Sequence, residues 1–245
     1  MYIRAALLAL ICPVFVAAQV FNVHSLDFFY DTVNSGNYTV VKYYTNWCSH
    51  CKRLAPVFEE LSEAYANSNV TFLEVECETF GSTICHRLPG FPMVEVIRPV
   101  KITTEDKEEA SVSGGAPPHS LWARFKTFLS RSHNPAWHLD LDRVAEFEGS
   151  RELPNLTKFV NQVIKDHEEN ELIDKVLGGE ACGLDLQCDN TREYVENIQD
   201  LTLENDKLRS IMQNNDAPHL QTHNIPFKLK IVERLLQRDQ PHDEL

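Results

Sequence analysis

The segment Thr39-Val40-Val41-Lys42-Tyr43-Tyr44 is rich in β-branched and aromatic residues, and a stripe at helical spacing, Leu54, Val57, Phe58, Leu61 and Tyr65, follows within a few residues. A strand signal that hands over so quickly to a 3.6-residue period means a strand leading straight into a helix. The strand signal returns at Val70-Thr71-Phe72-Leu73-Glu74-Val75, and again at Met93-Val94-Glu95-Val96-Ile97 after a Gly-Phe-Pro breaker. A short strand and a first helix are expected between Val20 and Ser35, and an edge strand near Val112. Leu121, Trp122, Phe125, Phe128 and Leu129 form an amphipathic stripe suited to pack on a sheet. Strands alternating with helices define an α/β unit over residues 19–132.

Inside that unit Thr104-Glu105-Asp106-Lys107-Glu108-Glu109 is acidic, has little apolar content and reads as a solvated loop. Residues 133–154 show no period, and Asn134-Pro135 and Gly149 interrupt any helix, so they read as a linker or domain edge. Beyond it, apolar residues recur at three and four through Phe159 to Leu177, Val195 to Ile211 and Ile231 to Leu236. A mostly helical domain is expected over 155–241.

The apolar run from Ala5 to Ala18 follows Arg4 and ends in small residues, Val16 and Ala18, at the cleavage positions, so residues 1–18 read as a secretory signal peptide. It is shorter than the roughly 20 residues that span a bilayer, which argues against membrane insertion. His242-Asp243-Glu244-Leu245 reads as an address for the endoplasmic reticulum retrieval receptor. Together the two ends predict residence in the lumen of that compartment. Removing residues 1–18 deletes one base and no acid, which moves the formal charge from −13 to −14. So acidic a chain repels polyanions, and nucleic acid is excluded as a partner. Sequons at Asn37, Asn69 and Asn155 suit the secretory route as glycosylation sites.

Cys12 leaves with the signal, and an even set remains: Cys48, Cys51, Cys77, Cys85, Cys182 and Cys188. In an oxidising lumen they suggest three pairs, by proximity Cys48 with Cys51, Cys77 with Cys85 and Cys182 with Cys188, a connectivity that sequence alone does not prove. Trp47-Cys48-Ser49-His50-Cys51-Lys52 falls where the first strong strand turns into its helix. A cysteine at a helix start faces unpaired backbone N–H groups, which favour thiolate over thiol. Cys48 is therefore the expected nucleophile, Cys51, one turn further in, the resolving thiol, and His50, when cationic, the group that tunes the potential. A zinc half-site needs a second ligand pair that the other cysteines do not supply. A purely structural loop leaves Trp47, His50 and Lys52 without a purpose.

Residues 20 to about 131 resemble a catalytic domain of the protein disulfide isomerase family, which implies a thioredoxin-like fold, a central mixed sheet flanked by helices. The resemblance rests on the Cys-Ser-His-Cys site, on Pro56, which matches the proline that kinks the active-site helix, and on Gly90-Phe91-Pro92. In the family such a proline follows a cis peptide bond and faces the cysteines, so Pro92 is expected to bind substrate backbone in extended form. Cys77 and Cys85 resemble a second, non-catalytic disulfide of some fungal members. A single catalytic unit, a helical tail and the His-Asp-Glu-Leu ending look most like the small fungal members. Two positions depart from the pattern: Lys42 stands where the family buries a glutamate that takes the proton of the resolving thiol, and Gly115 where it carries a mobile arginine.

The resemblance implies an enzyme that forms, reduces and rearranges disulfides in unfolded or misoxidised secretory proteins, without a bound cofactor, exchanging electrons with glutathione or a thiol oxidase. The altered Lys42 and Gly115 predict weaker isomerase turnover. Cys182 to Cys188 reads as a structural clip between helices, and the helical domain as a site for clients or self-association. The competing functions are a client-binding chaperone that uses the fold as a scaffold, and a reductase serving one partner.

Overall fold

The computed structural model describes residues 19–100, 137–213 and 224–239. It divides into two units, one running to Ile164 and the other from Lys165 onward. In the first, β1 (Val20–Asn22), α1 (Leu26–Val33), β2 (Tyr38–Tyr44), α2 (Ser49–Ala64), β3 (Val70–Glu76), β4 (Met93–Ile97) and β5 (Val144–Glu146) precede α3 (Leu153–Leu177), which crosses into the second. The five strands form a mixed sheet in the order β1-β3-β2-β4-β5. β1, β3 and β2 run parallel, while β4 is antiparallel to both β2 and β5.

Alternation along the strands divides the core between the two faces of the sheet. Val41, Tyr43, Leu73, Val75 and Ile97 pack with Phe29 and Val33 of α1. Val40, Phe72, Val94 and Val96 pack with Leu54, Phe58 and Leu61 of α2 and with Leu156 and Val160 of α3. The central strand β2 is covered on both faces, and its β-branched and aromatic residues fill both while Thr39 and Lys42 are buried among them. Ser25 caps α1 by accepting the Phe28 N–H at 3.1 Å. Pro56 lies inside α2, where it has no N–H to give the previous turn.

The three expected strands and the β1–α1 lead-in are present, and the architecture is the thioredoxin fold with a helical C-terminal region. The expected edge strand near Val112, the acidic loop, the helix at Leu121 to Leu129 and Gly115 lie outside the described residues.

Part of the stretch 133–154, expected as a linker or domain edge, is built into the sheet. It supplies β5, paired to β4 through Glu95–Glu146, Val96–Ala145 and Ile97–Val144, and buried Phe147, whose N–H reaches the Val94 carbonyl at 2.9 Å. A strand of three residues is too short to show a period, and its register comes from β4, not from its own sequence. Leu156 and Val160 are fully buried against the sheet, so the first part of α3 completes the α/β unit.

In the second unit α4 (Leu186–Glu196), α5 (Leu201–Gln213) and α6 (Ile225–Asp239) follow the end of α3. Leu208 of α5 packs with Ile225 and Val232 of α6. The buried Cys182–Cys188 disulfide gathers Val176, Leu172 and Val195 around it.

Candidate active site

Cys48 is the residue on which α2 begins: its backbone is extended and its sulfur accepts the Cys51 N–H at 3.3 Å. That contact is a helix cap made by a thiol, with the first-turn N–H groups converging on the sulfur. The Cys51 thiol's hydrogen bond is the largest influence holding Cys48 below the usual thiol range, and backbone N–H groups of Cys51 and His50 and the Arg53 charge add to it. Cys51 is pushed the other way, first by burial and then by its bond to Cys48, while a backbone contact from Thr45 and the Lys42 charge pull it back. One thiol is thus prepared to ionise and its neighbour to remain protonated, the asymmetry that separates a nucleophile from a resolving group. Both are free thiols here, and both are buried.

The Phe91–Pro92 bond is cis, and the Phe91 carbonyl lies 3.8 Å from the Cys48 sulfur. The segment carrying it is tied at several points. Cys77 and Cys85 are disulfide-bonded at the end of β3, Arg87 grips the fully buried Glu95 of β4 with two bonds of 2.6 and 2.5 Å, and Arg151 donates to the Pro92 carbonyl at 2.8 Å. Trp47 is 71% exposed immediately before Cys48, an aromatic face beside the sulfur.

His50 is exposed, and its Nδ1 lies 2.7 Å from an Arg53 guanidinium nitrogen. The permanent cation beside Cys48 is Arg53.

Lys42 is buried beneath α2 and ion-paired with Glu74 of β3. Asn69 and Asn155 are exposed and Asn37 is half-buried. Among the described residues no group of three or more His, Cys, Asp and Glu side chains is placed to hold a metal ion. The sequence left Arg53, Glu74, Arg87 and Arg151 unremarked. Glu74 sits level with Lys42 only in the parallel register of β2 and β3, which the sequence does not reveal.

A sheet of this order with a Cys-x-x-Cys at the start of α2 and a cis-proline before β4 defines a thioredoxin-fold protein. Residues 19–126 match the thioredoxin family model. The protein disulfide-isomerase of Saccharomyces cerevisiae is 28% identical over 74 residues, 29% of this chain and 14% of that protein. The thioredoxin domain-containing protein 5 homolog of Drosophila melanogaster is 25% identical over 198 residues, 80% of this chain and 33% of that one. Protein disulfide-isomerase 1 of Dictyostelium discoideum is 37% identical over 73 residues, 27% of this chain and 20% of that protein. The matched region, residues 19–126, is a thioredoxin domain, and the chain is similar to protein disulfide isomerases. It spans a third or less of the length of each of these relatives.

Proposed function

We propose that this chain is a thiol–disulfide oxidoreductase that acts on proteins, with Cys48 as nucleophile and Cys51 as resolving thiol. The observation that carries the reading is the Cys48 sulfur at the α2 cap, holding the Cys51 N–H and facing the Phe91 carbonyl beside the cis-proline. The Cys48 thiolate attacks one sulfur of a client disulfide, so that a Cys48–client bond forms and the other client sulfur leaves as a thiolate. Cys51, deprotonated, then attacks the Cys48 sulfur, the Cys48–Cys51 bond forms, and the second client thiolate is released. The client has gained two electrons and two protons. Run in reverse, the oxidised pair gives a disulfide to a dithiol client, and glutathione disulfide or a thiol oxidase takes the electrons from the reduced pair. Pro92 and its neighbours hold the client as an extended segment.

Isomerase action on secretory clients in the endoplasmic reticulum lumen is the finer reading. It is supported by the apolar run to Ala18, the His-Asp-Glu-Leu motif and the sequons at Asn37, Asn69 and Asn155, and by the names of the relatives. No helix among the described residues is long and apolar enough to cross a membrane.

Refolding of scrambled ribonuclease beside Cys48→Ala and Cys51→Ala variants tests the reading, together with equilibration in glutathione buffers. Activity lost with Cys48 and a potential near about −180 mV support an oxidase and isomerase, while one below about −250 mV makes the protein a reductase. Aggregation suppressed equally by all variants, with no exchange by the wild type, would leave a chaperone built on this fold.

A further inference from the structure

Lys42 sits midway along β2 with 3% of its side chain exposed, where an unpaired ammonium would be costly. Its partner across the parallel register is Glu74 of β3, and the two are ion-paired. The ammonium also lies 5.1 Å from the centre of the Phe58 ring and 5.4 Å from that of Tyr44. Val40 and Phe72, two residues back along each strand, belong to the core beneath α2 with Leu54 and Phe58. The pair therefore occupies the layer under the helix that carries both active cysteines, and the Lys42 charge reaches Cys51.

Other groups facing this space are committed elsewhere. Glu76 accepts from the Asn46 side chain and from the Thr79 hydroxyl, the latter at 2.9 Å, and Glu78 accepts the Asn46 N–H at 3.2 Å. Tyr44 is raised by burial and then by Glu74, Glu76 and Glu78, which keeps its phenol protonated. Glu74 is the carboxylate that touches the ammonium.

We propose that Glu74, acting through Lys42, is the proton acceptor that lets Cys51 resolve the mixed disulfide. The inference rests on the exchange reading above. Before the step the buried set is a neutral Cys51 thiol, a cationic Lys42 and an anionic Glu74; after it, the thiolate is on Cys51, Lys42 is still cationic and Glu74 is a carboxylic acid. No net charge is added to a space where an extra one would be expensive. Lys42 passes a proton to Glu74 as it takes the one from Cys51, and its ammonium remains to steady the new thiolate. That thiolate attacks the Cys48 sulfur, the Cys48–client bond breaks, and the client thiolate takes up a proton. Glu74, with 16% of its side chain exposed, returns its own proton through solvent. A lysine in the acid's place thus leaves the chemistry intact, because the acid stands on the next strand.

The test follows the reduced full-length protein against a fluorescent peptide disulfide by stopped flow, which separates formation of the Cys48 mixed disulfide from release of the peptide. Glu74→Gln is expected to leave the first phase unchanged, to slow the second about 100-fold at neutral pH and to recover as pH rises, because hydroxide then takes the proton. Glu74→Asp restores part of the rate, and the exchanged pair Lys42→Glu with Glu74→Lys retains most of it. Release at the wild-type rate or faster in Glu74→Gln overturns the proposal, a faster rate being what an unbalanced Lys42 cation alone would give. Should that variant not fold, Lys42→Met with Glu74→Met removes both charges while keeping bulk; release at the wild-type rate from that folded protein overturns it equally. A wild type that forms no mixed disulfide contradicts the exchange reading itself.

Discussion

Cys48 and Cys51 are one helical turn apart and chemically identical, yet their surroundings drive them in opposite directions. The sign is readable in an alkylation profile: Cys48, lowered, is modified with a midpoint below that of an ordinary thiol, and Cys51, raised, with one above it, so at neutral pH label enters Cys48 first. Because Arg53 is an exposed cation that contributes to lowering Cys48, Arg53→Gln should slow Cys48 alkylation at neutral pH by about two- to fivefold, an effect that added salt erodes. Replacing His50 with glutamine should change it less. The sequence showed this site because its parts are adjacent in the chain: a strand end, two cysteines and a helix stripe. It did not show Arg53, whose charge adds to the lowering of Cys48, because nothing in the chain's spacing marks that arginine as close to the sulfur. Lys42 looked like a lost function when read alone, and its partner became visible only once β2 and β3 were in register.

At the scale of elements, the segment between β3 and β4 bears the cis-proline and owes its position to contacts distant in sequence. Glu95 is fully buried and meets Arg87 with both oxygens, while Arg87 also reaches the Tyr43 hydroxyl at 3.3 Å. Glu95→Ala strands that guanidinium at the edge of the core and should cost about 3 to 5 kcal/mol, measured as a fall in denaturation midpoint. The strands β2, β3 and β4 were legible because they are rich in β-branched and aromatic residues and are bounded by Gly, Pro or polar turns. β5 was not. Its three residues gain their strand character from pairing with β4, and Arg98 and Arg143, which bond to one another's carbonyls at 3.0 and 2.9 Å, hold that edge in place.

For the whole molecule, the division near Ile164 carries a consequence for what can fold alone. A fragment ending at residue 132, where the sequence suggested the α/β unit stops, lacks β5, Phe147 and the α3 residues Leu156 and Val160, all of which pack on the sheet. In the intact chain Leu156→Ala, at a fully buried site, should remove about 2 to 5 kcal/mol and lower exchange activity near physiological temperature by unfolding the unit that bears the cysteines. The second unit has its own small cores and its own disulfide, in which Cys182 and Cys188 are bonded to each other and buried. The proposed exchange is therefore assigned to the first unit. The most direct test is to replace Cys51 with serine in the full-length protein, offer a disulfide-bonded client, and locate the trapped adduct by mass spectrometry. A stable mixed disulfide on Cys48, absent when Cys48 is also replaced, is the predicted result; an adduct on Cys182 or Cys188, or none at all, would contradict the account.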